Sequence, residues 1–212
     1  MSGRKFCFLI CAMFFPFLAM ASEAIPLVVV DAGHGGNDFG TRAKKPYCEE
    51  KRVALQTARL LRTYLTQLGY RVMMTRSIDV FVPLEKRAEL ANKASADLFV
   101  SIHFNSARIP KAKGIEIFFF ESKENRKRTN ASRNLARSIL TRLINRTRAV
   151  SRGVKKGNFY VLRETEMPAV IVEGGFISNP EELRLIKDNA YLEQIARGIA
   201  DGVEAYFKKL GK

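Results

Sequence analysis

The chain has only two histidines, and both follow short apolar, β-rich runs: His34 closes Val28-Val29-Val30-Asp31-Ala32-Gly33, and His103 closes Val100-Ser101-Ile102. A third run, Ile171-Val172, ends in Glu173. In open α/β sheets, ligands gather at the carboxyl ends of strands, where loops are free to carry functional groups. A lone histidine at such a place is most often a hydrogen-bonded structural residue. Two at equivalent strand ends suggest a metal, because imidazole is a common zinc ligand and a catalytic zinc takes three protein groups plus a water. Glu49 and Glu50 follow the loop that starts at His34, and either can reach the same edge as the third ligand. Both also suit the first turn of a helix, where a carboxylate gains ~0.3–1 kcal/mol from the dipole with no metal involved. Glu173 would be costly at a core edge without a partner. Beside a metal it can take a proton from the attacking water and pass it to a leaving nitrogen. Asp31 and Asp97 suit the orientation of a histidine or a turn.

The elements that must position these groups alternate. Strands are expected at 27–30, 70–74, 97–102, 115–120, 159–162 and 169–172. Ala54, Ala58, Leu61, Leu65 and Leu68 share one helical face that Gly69 can close, and further helices fit 84–95, 130–148 and 190–207. The pattern predicts a single α/β domain: a mainly parallel, mixed sheet of about six strands with helices on both faces, the fourth run being a candidate antiparallel exception. Arg126, Arg128, Arg133, Arg137, Arg142, Arg146 and Arg148 surround the stripe Leu135, Ile139 and Leu143, and read as a solvated helix face or as a landing strip for an anionic polymer.

Residues 1–21 carry Arg4 and Lys5, the apolar run 6–20 and Ala19-Met20-Ala21, the pattern of a secretory signal peptide cleaved after Ala21. The catalytic domain is then 22–212. Cleavage removes two of 36 basic residues and none of 21 acidic ones, so the net charge goes from +15 to +13. Cys7 and Cys11 leave with the signal, so Cys48 is alone, no internal disulfide is possible, and an incidental free thiol is expected. An exported basic protein in the periplasm or cell envelope meets anionic polymers. No nucleic-acid recognition motif appears, so no specific nucleic-acid partner is expected.

The motifs Asp31-Ala32-Gly33-His34-Gly35-Gly36, Glu50-Lys51, Ser101-Ile102-His103-Phe104-Asn105 and Pro168-Ala169-Val170-Ile171-Val172-Glu173-Gly174-Gly175-Phe176, in that order, resemble the zinc-dependent N-acetylmuramoyl-L-alanine amidases of the Amidase_3 type. The resemblance implies one zinc ion (Zn2+) per chain held by His34, Glu50 and His103, with Glu173 as catalytic acid and base. It selects Glu50 over Glu49, because the family's acid precedes a lysine and an apolar helix. The implied substrate is peptidoglycan or its lipid-linked precursor, cut between the lactyl group of N-acetylmuramic acid and L-alanine, with wall turnover and cell division as the setting. Some envelope amidases of this type carry a helical plug that an activator removes. Segment 114–159 reads as one strand and one basic helix, which predicts a constitutively open site.

Rival readings use the same residues. A zinc carboxypeptidase or endopeptidase acting elsewhere on the stem peptide needs the same metal chemistry, and a basic wall-binding module needs no chemistry at all. Ser132-Arg133-Asn134 and Lys155-Lys156-Gly157 echo penicillin-binding motifs, but the only S-x-x-K is Ser2 to Lys5, inside the signal. The loop 37–47 is expected to shape the substrate groove, its lysines meeting stem-peptide carboxylates. Oligomeric state has no signature in the sequence.

Overall fold

A computed structural model describes residues 24–211 of the 212-residue chain. The expected signal segment at 1–21 lies outside the described residues. The chain runs β1 (Leu27–Ala32), a hairpin of β2 (Arg42–Lys44) and β3 (Tyr47–Glu49), α1 (Glu50–Gln67), β4 (Arg71–Met74), α2 (Leu84–Lys93), β5 (Leu98–Asn105), β6 (Ile115–Phe119), α3 (Arg126–Thr147), β7 (Ser151–Lys156), α4 (Tyr160–Arg163), β8 (Ala169–Phe176), α5 (Pro180–Ile186) and α6 (Asn189–Lys209). Six strands form one sheet in the order β4-β1-β5-β8-β6-β7. Strands β4, β1, β5 and β8 are parallel, β6 is antiparallel to β8, and β7 is parallel to β6. The mixed sheet and its antiparallel fourth run match the expectation.

Side chains alternate between two cores, as strand geometry requires. Val28, Val30, Val100, Ile102, Val170 and Val172 face α1, α3 and α6. Helices α3 and α6 approach closely: a Cβ on Gly202 would stand 2.4 Å from Ile139 Cα, so only glycine fits there. Val29, Phe99, Ala169 and Ile171 face the other way, against Ala91 of α2 and Val161 and Leu162 of α4. Helices α2 and α4 cover this second face. Continuing the same alternation along β5 and β8 brings His103 and Glu173 onto it, past the cover.

Several elements differ from the sequence expectation. Segment 159–162 is not a strand: it leads into the single turn α4, whose Val161 and Leu162 bury against the sheet. The sixth strand is β7, so 114–159 holds two strands around the basic helix rather than one. The β2–β3 hairpin and α5 have no counterpart in the apolar pattern. Leu68 caps α1 and is exposed instead of joining its buried stripe, while Gly69 takes the expected left-handed turn at φ +91°. In α3 the stripe Leu135, Ile139 and Leu143 is fully buried. Arg128 folds back onto the backbone carbonyls of Leu162 and Thr165, Arg133 pairs with Glu121 and Arg146 with Asp201, so part of the arginine face serves the fold.

Candidate metal centre

Strand β1 is followed by a tight loop in which His34 itself takes a left-handed backbone (φ 60°), ahead of Gly35 and Gly36. For a residue with a side chain this conformation is uncommon and costs of order 1–3 kcal/mol unless its surroundings impose it. Two buried guanidinium groups do so. Arg76 donates from Nε to the carbonyl of Ala32 (2.9 Å) and from Nη2 to that of Gly33 (2.7 Å); Arg87 donates from Nη1 to Ala32 (2.6 Å) and from Nη2 to His34 (2.7 Å). Gly33 leaves room for the neighbouring strand's histidine, since a Cβ there would meet the His103 ring at 2.3 Å.

Helix α1 supplies the carboxylate. Glu50 Oε2 accepts from Thr41 N (2.9 Å), which turns Oε1 toward His34 Nε2 and His103 Nδ1, each at 2.9 Å. Asp38 Oδ2 takes the other ring nitrogen of His34 at 2.8 Å, fixing that imidazole as carboxylates do beside metal-ligating histidines. Lys51, next in sequence, is buried and ties the helix start to the loop through the carbonyl of Gly36 and the carboxylate of Asp79, both at 2.8 Å. Donor atoms of His34, Glu50 and His103 all lie within 4.8 Å of one another, the one such group of three among the described residues. Two imidazoles and a carboxylate are the donor set of a catalytic zinc site with three protein ligands. Glu49 faces elsewhere, bonded to the Tyr47 hydroxyl and to Arg52 Nε.

Electrostatics follow from this packing. Burial works against a charged His103, yet Glu50 outweighs it and raises the pKa to about 9; His34 is raised by the same balance. Burial likewise opposes ionised Glu50, but the two histidines hold its carboxyl far below the usual range. Glu173 is the opposite case. Burial raises its pKa to about 7, with Glu50 and Glu116 adding to the rise against the lowering effect of the histidines. Its Oε2 atom is buried and has no hydrogen-bond partner. A cavity of about 380 Å³ adjoins both histidines, its apolar wall made by Phe81, Val82, Leu84 and Val161.

Asp31 does not orient a histidine: it is buried and accepts from Arg87 Nη1 (2.8 Å), Thr75 Oγ1 (2.6 Å) and Ser101 Oγ (2.6 Å). Asp97 accepts from Leu27 N at the start of β1. Cys48 is packed in the core, where burial pushes its thiol pKa up, and it is outside the donor group. Ser132 is buried in α3 with Oγ accepting from Ala169 N, while Lys155 pairs with Glu116; the two share no partner. Sequence reasoning missed Asp38, Arg76, Arg87 and Glu116. Glu116 carried a signal, as the one charged residue inside the apolar β6.

Comparison with known proteins agrees with this arrangement. Residues 28–205 match the Amidase_3 family, described as N-acetylmuramoyl-L-alanine amidase. The chain is 33% identical to a probable cell wall amidase LytH of Staphylococcus epidermidis over 85% of its own length, and spans 58% of that relative. It is 33% identical to N-acetylmuramoyl-L-alanine amidase AmiA of Escherichia coli, covering 85% of this chain and 76% of AmiA. The crystal structure of an N-acetylmuramoyl-L-alanine amidase from Clostridium difficile 630 superposes with a TM-score of 0.81 at 36% identity, over 87% of this chain and 97% of that one. With the match extending through nearly the whole sheet and all of the donor group, the chain belongs to the Amidase_3 family.

Proposed function

We propose that the protein is a zinc-dependent N-acetylmuramoyl-L-alanine amidase that hydrolyses the bond between N-acetylmuramic acid and the L-alanine of the stem peptide. The observation that carries this reading is the buried, unpartnered Oε2 of Glu173 on the strand beside His103. A carboxyl group kept near neutrality by burial is matched to moving protons at neutral pH.

His34, Glu50 and His103 would hold the metal, with Asp38 and Thr41 fixing two of them. Zinc bound there supplies a Lewis acid that polarises the lactyl carbonyl and acidifies the attacking water. Glu173 takes the proton from that water as its oxygen bonds to the carbonyl carbon. It then returns the proton to the alanine nitrogen as the carbon–nitrogen bond breaks, so the carboxylate is regenerated in each turnover.

The expected signal segment supports export to the periplasm or cell envelope and a mature chain 22–212. Among the described residues, no helix is long and apolar enough to cross a membrane. An open site, active without an activator, is supported by the alignment with AmiA. That alignment runs over 220 residues while using 85% of this 212-residue chain, so about 40 positions of AmiA within the match have no counterpart here.

Release of dye from labelled, purified sacculi by the mature protein alone tests the proposal. The expected result is activity abolished by a chelator, restored by zinc, and absent from Glu173→Gln. Activity indifferent to both treatments, or appearing only with an added activator, contradicts the zinc site or the open site respectively.

A further inference from the structure

The row of side chains on the open face continues beyond Glu173. Glu116 on β6 stands opposite Glu173 across the antiparallel pair, and it is only 4% exposed. Its Oε1 accepts from Asn105 Nδ2 at 2.8 Å, and its Oε2 accepts from Arg152 Nε at 2.8 Å and Lys155 Nζ at 2.5 Å. One buried carboxylate thus gathers two cations from β7, with the Glu182 carboxyl the further acid that acts on Arg152. The Arg152 guanidinium lies over the Phe176 ring, 4.9 Å from its centroid, and its Nη groups donate to no acceptor among the described residues. The side chains of Arg152 and Lys155 are 34% and 39% exposed, open to solvent and to a ligand.

The opposite flank has different chemistry. Beyond His34 the loop 78–84 presents Phe81 at 57% and Leu84 at 51% exposure, and both line the apolar cavity. The centre therefore lies between a cationic side on β6 and β7 and an apolar side formed by 78–84. The substrate of the proposed reaction is asymmetric in the same way: a neutral sugar chain on one side of the scissile amide and a peptide bearing free carboxylates on the other.

We propose that Arg152 and Lys155 form an anion subsite for the first free carboxylate of the stem peptide, so that the peptide crosses β6 and β7 while the glycan lies toward 78–84. The inference rests on the amidase reading and assigns the orientation and the anionic side of its substrate. The reach is suitable. Strands in a sheet are spaced by about 4.8 Å, so groups on β6 and β7 stand roughly 5–10 Å from Glu173, and two residues of extended peptide span at most about 7 Å. A guanidinium fork suits a carboxylate, and charge-assisted bonds of this kind are stronger than neutral ones. Neutralising Glu116 alone would require only one of the two cations.

The test compares two peptides, L-alanyl-D-glutamate with its γ-carboxyl blocked as the methylamide and its α-carboxylate free, and the same peptide with the α-carboxyl amidated as well, by calorimetric titration of the zinc-loaded protein. The free carboxylate should bind about tenfold more tightly, the size expected of one charge-assisted hydrogen bond. The preference should vanish in Arg152→Gln/Lys155→Gln and persist in Lys208→Gln/Lys209→Gln, which makes the same change of charge on α6. Should the double variant fail to fold, Arg152→Gln alone leaves Lys155 on Glu116 and should cut the preference about threefold or more. Equal binding of both peptides, or a preference that survives both variants, overturns the subsite. Products from the muramoyl forms of the same peptides test the reaction separately. Cleavage at the lactyl amide with no carboxylate preference in binding removes the subsite and leaves the amidase reading standing. Carboxylate-dependent binding without that cleavage keeps the subsite and removes the amidase reading.

Discussion

His103 and Glu173 are register partners on the neighbouring parallel strands β5 and β8. Their backbones are therefore about one strand spacing, ~4.8 Å, apart, and their side chains share a face of the sheet. An imidazole facing Glu50 and a carboxyl with a buried, unbonded oxygen are thus set side by side by the pairing of the two central strands of the sheet.

Glu173→Gln keeps the size of the side chain and removes its ability to carry a proton, so turnover should fall by roughly 10²–10⁴, the usual contribution of a positioned acid or base. Zinc content and thermal midpoint should match the parent protein. A variant that retains activity within a few fold would show that the proton moves elsewhere.

Two adjacent acids should separate cleanly. Glu50→Gln should lose bound zinc, measured by plasma mass spectrometry after dialysis, because Glu50 alone of the pair faces both imidazoles. Glu49→Gln should keep its zinc, since Glu49 is engaged by Tyr47 and Arg52. The reverse result would move the ligand by one residue.

Removing the metal should destabilise the fold. A ligand that binds only the native state adds about 4 kcal/mol when present at a thousand times its dissociation constant. Thermal scans with zinc and with a chelator should therefore differ by roughly 8–16 °C for a chain of this length. Coincident scans would mean that the three donors bind no ion strongly.

The buried pair of Arg87 and Asp31 supports the strained loop at His34. Arg87→Met leaves Asp31 without its cation and should cost about 3–5 kcal/mol in urea unfolding. Pairing it with Asp31→Leu should recover part of the loss. Burial favours protonated Asp31, but Arg87, Ser101 and Thr75 outweigh it and hold its pKa below the ordinary 3.8. A folded pKa below the unfolded one adds stability above pH 3.8 and loses it as pH falls through the folded value. Asp31→Asn should therefore be less stable than the parent at neutral pH, with the gap closing in acid. A gap that stays constant down to the lowest pH would contradict this role.

His34, His103 and Glu173 were legible in the sequence because each ends an apolar run, and strand alternation alone brings His103 and Glu173 to one edge. The choice of Glu50 over Glu49 was not legible from spacing. It depends on which carboxylate Thr41 N turns inward, a contact between a loop and a helix start. Strand β7 was missed because its sequence, Ser-Arg-Gly-Val-Lys-Lys, carries the charges that keep an edge strand from pairing further, and hence lacks an apolar run. Segment 159–162 misled for the converse reason: its apolar residues are buried by one helical turn laid on the sheet, and a run of that length does not distinguish helix from strand. Arg76 and Arg87 carry no signal in the sequence, and only the fold shows them capping the carbonyls of 32–34.

The most direct test of the central claim is mass spectrometry of the products that the mature protein releases from purified sacculi, with chelator and with zinc added back. The expected products are free stem peptides beginning with L-alanine and bare glycan strands, lost on chelation and restored by zinc. Shortened peptides still attached to glycan would contradict it, and would assign the same metal centre to a peptidase.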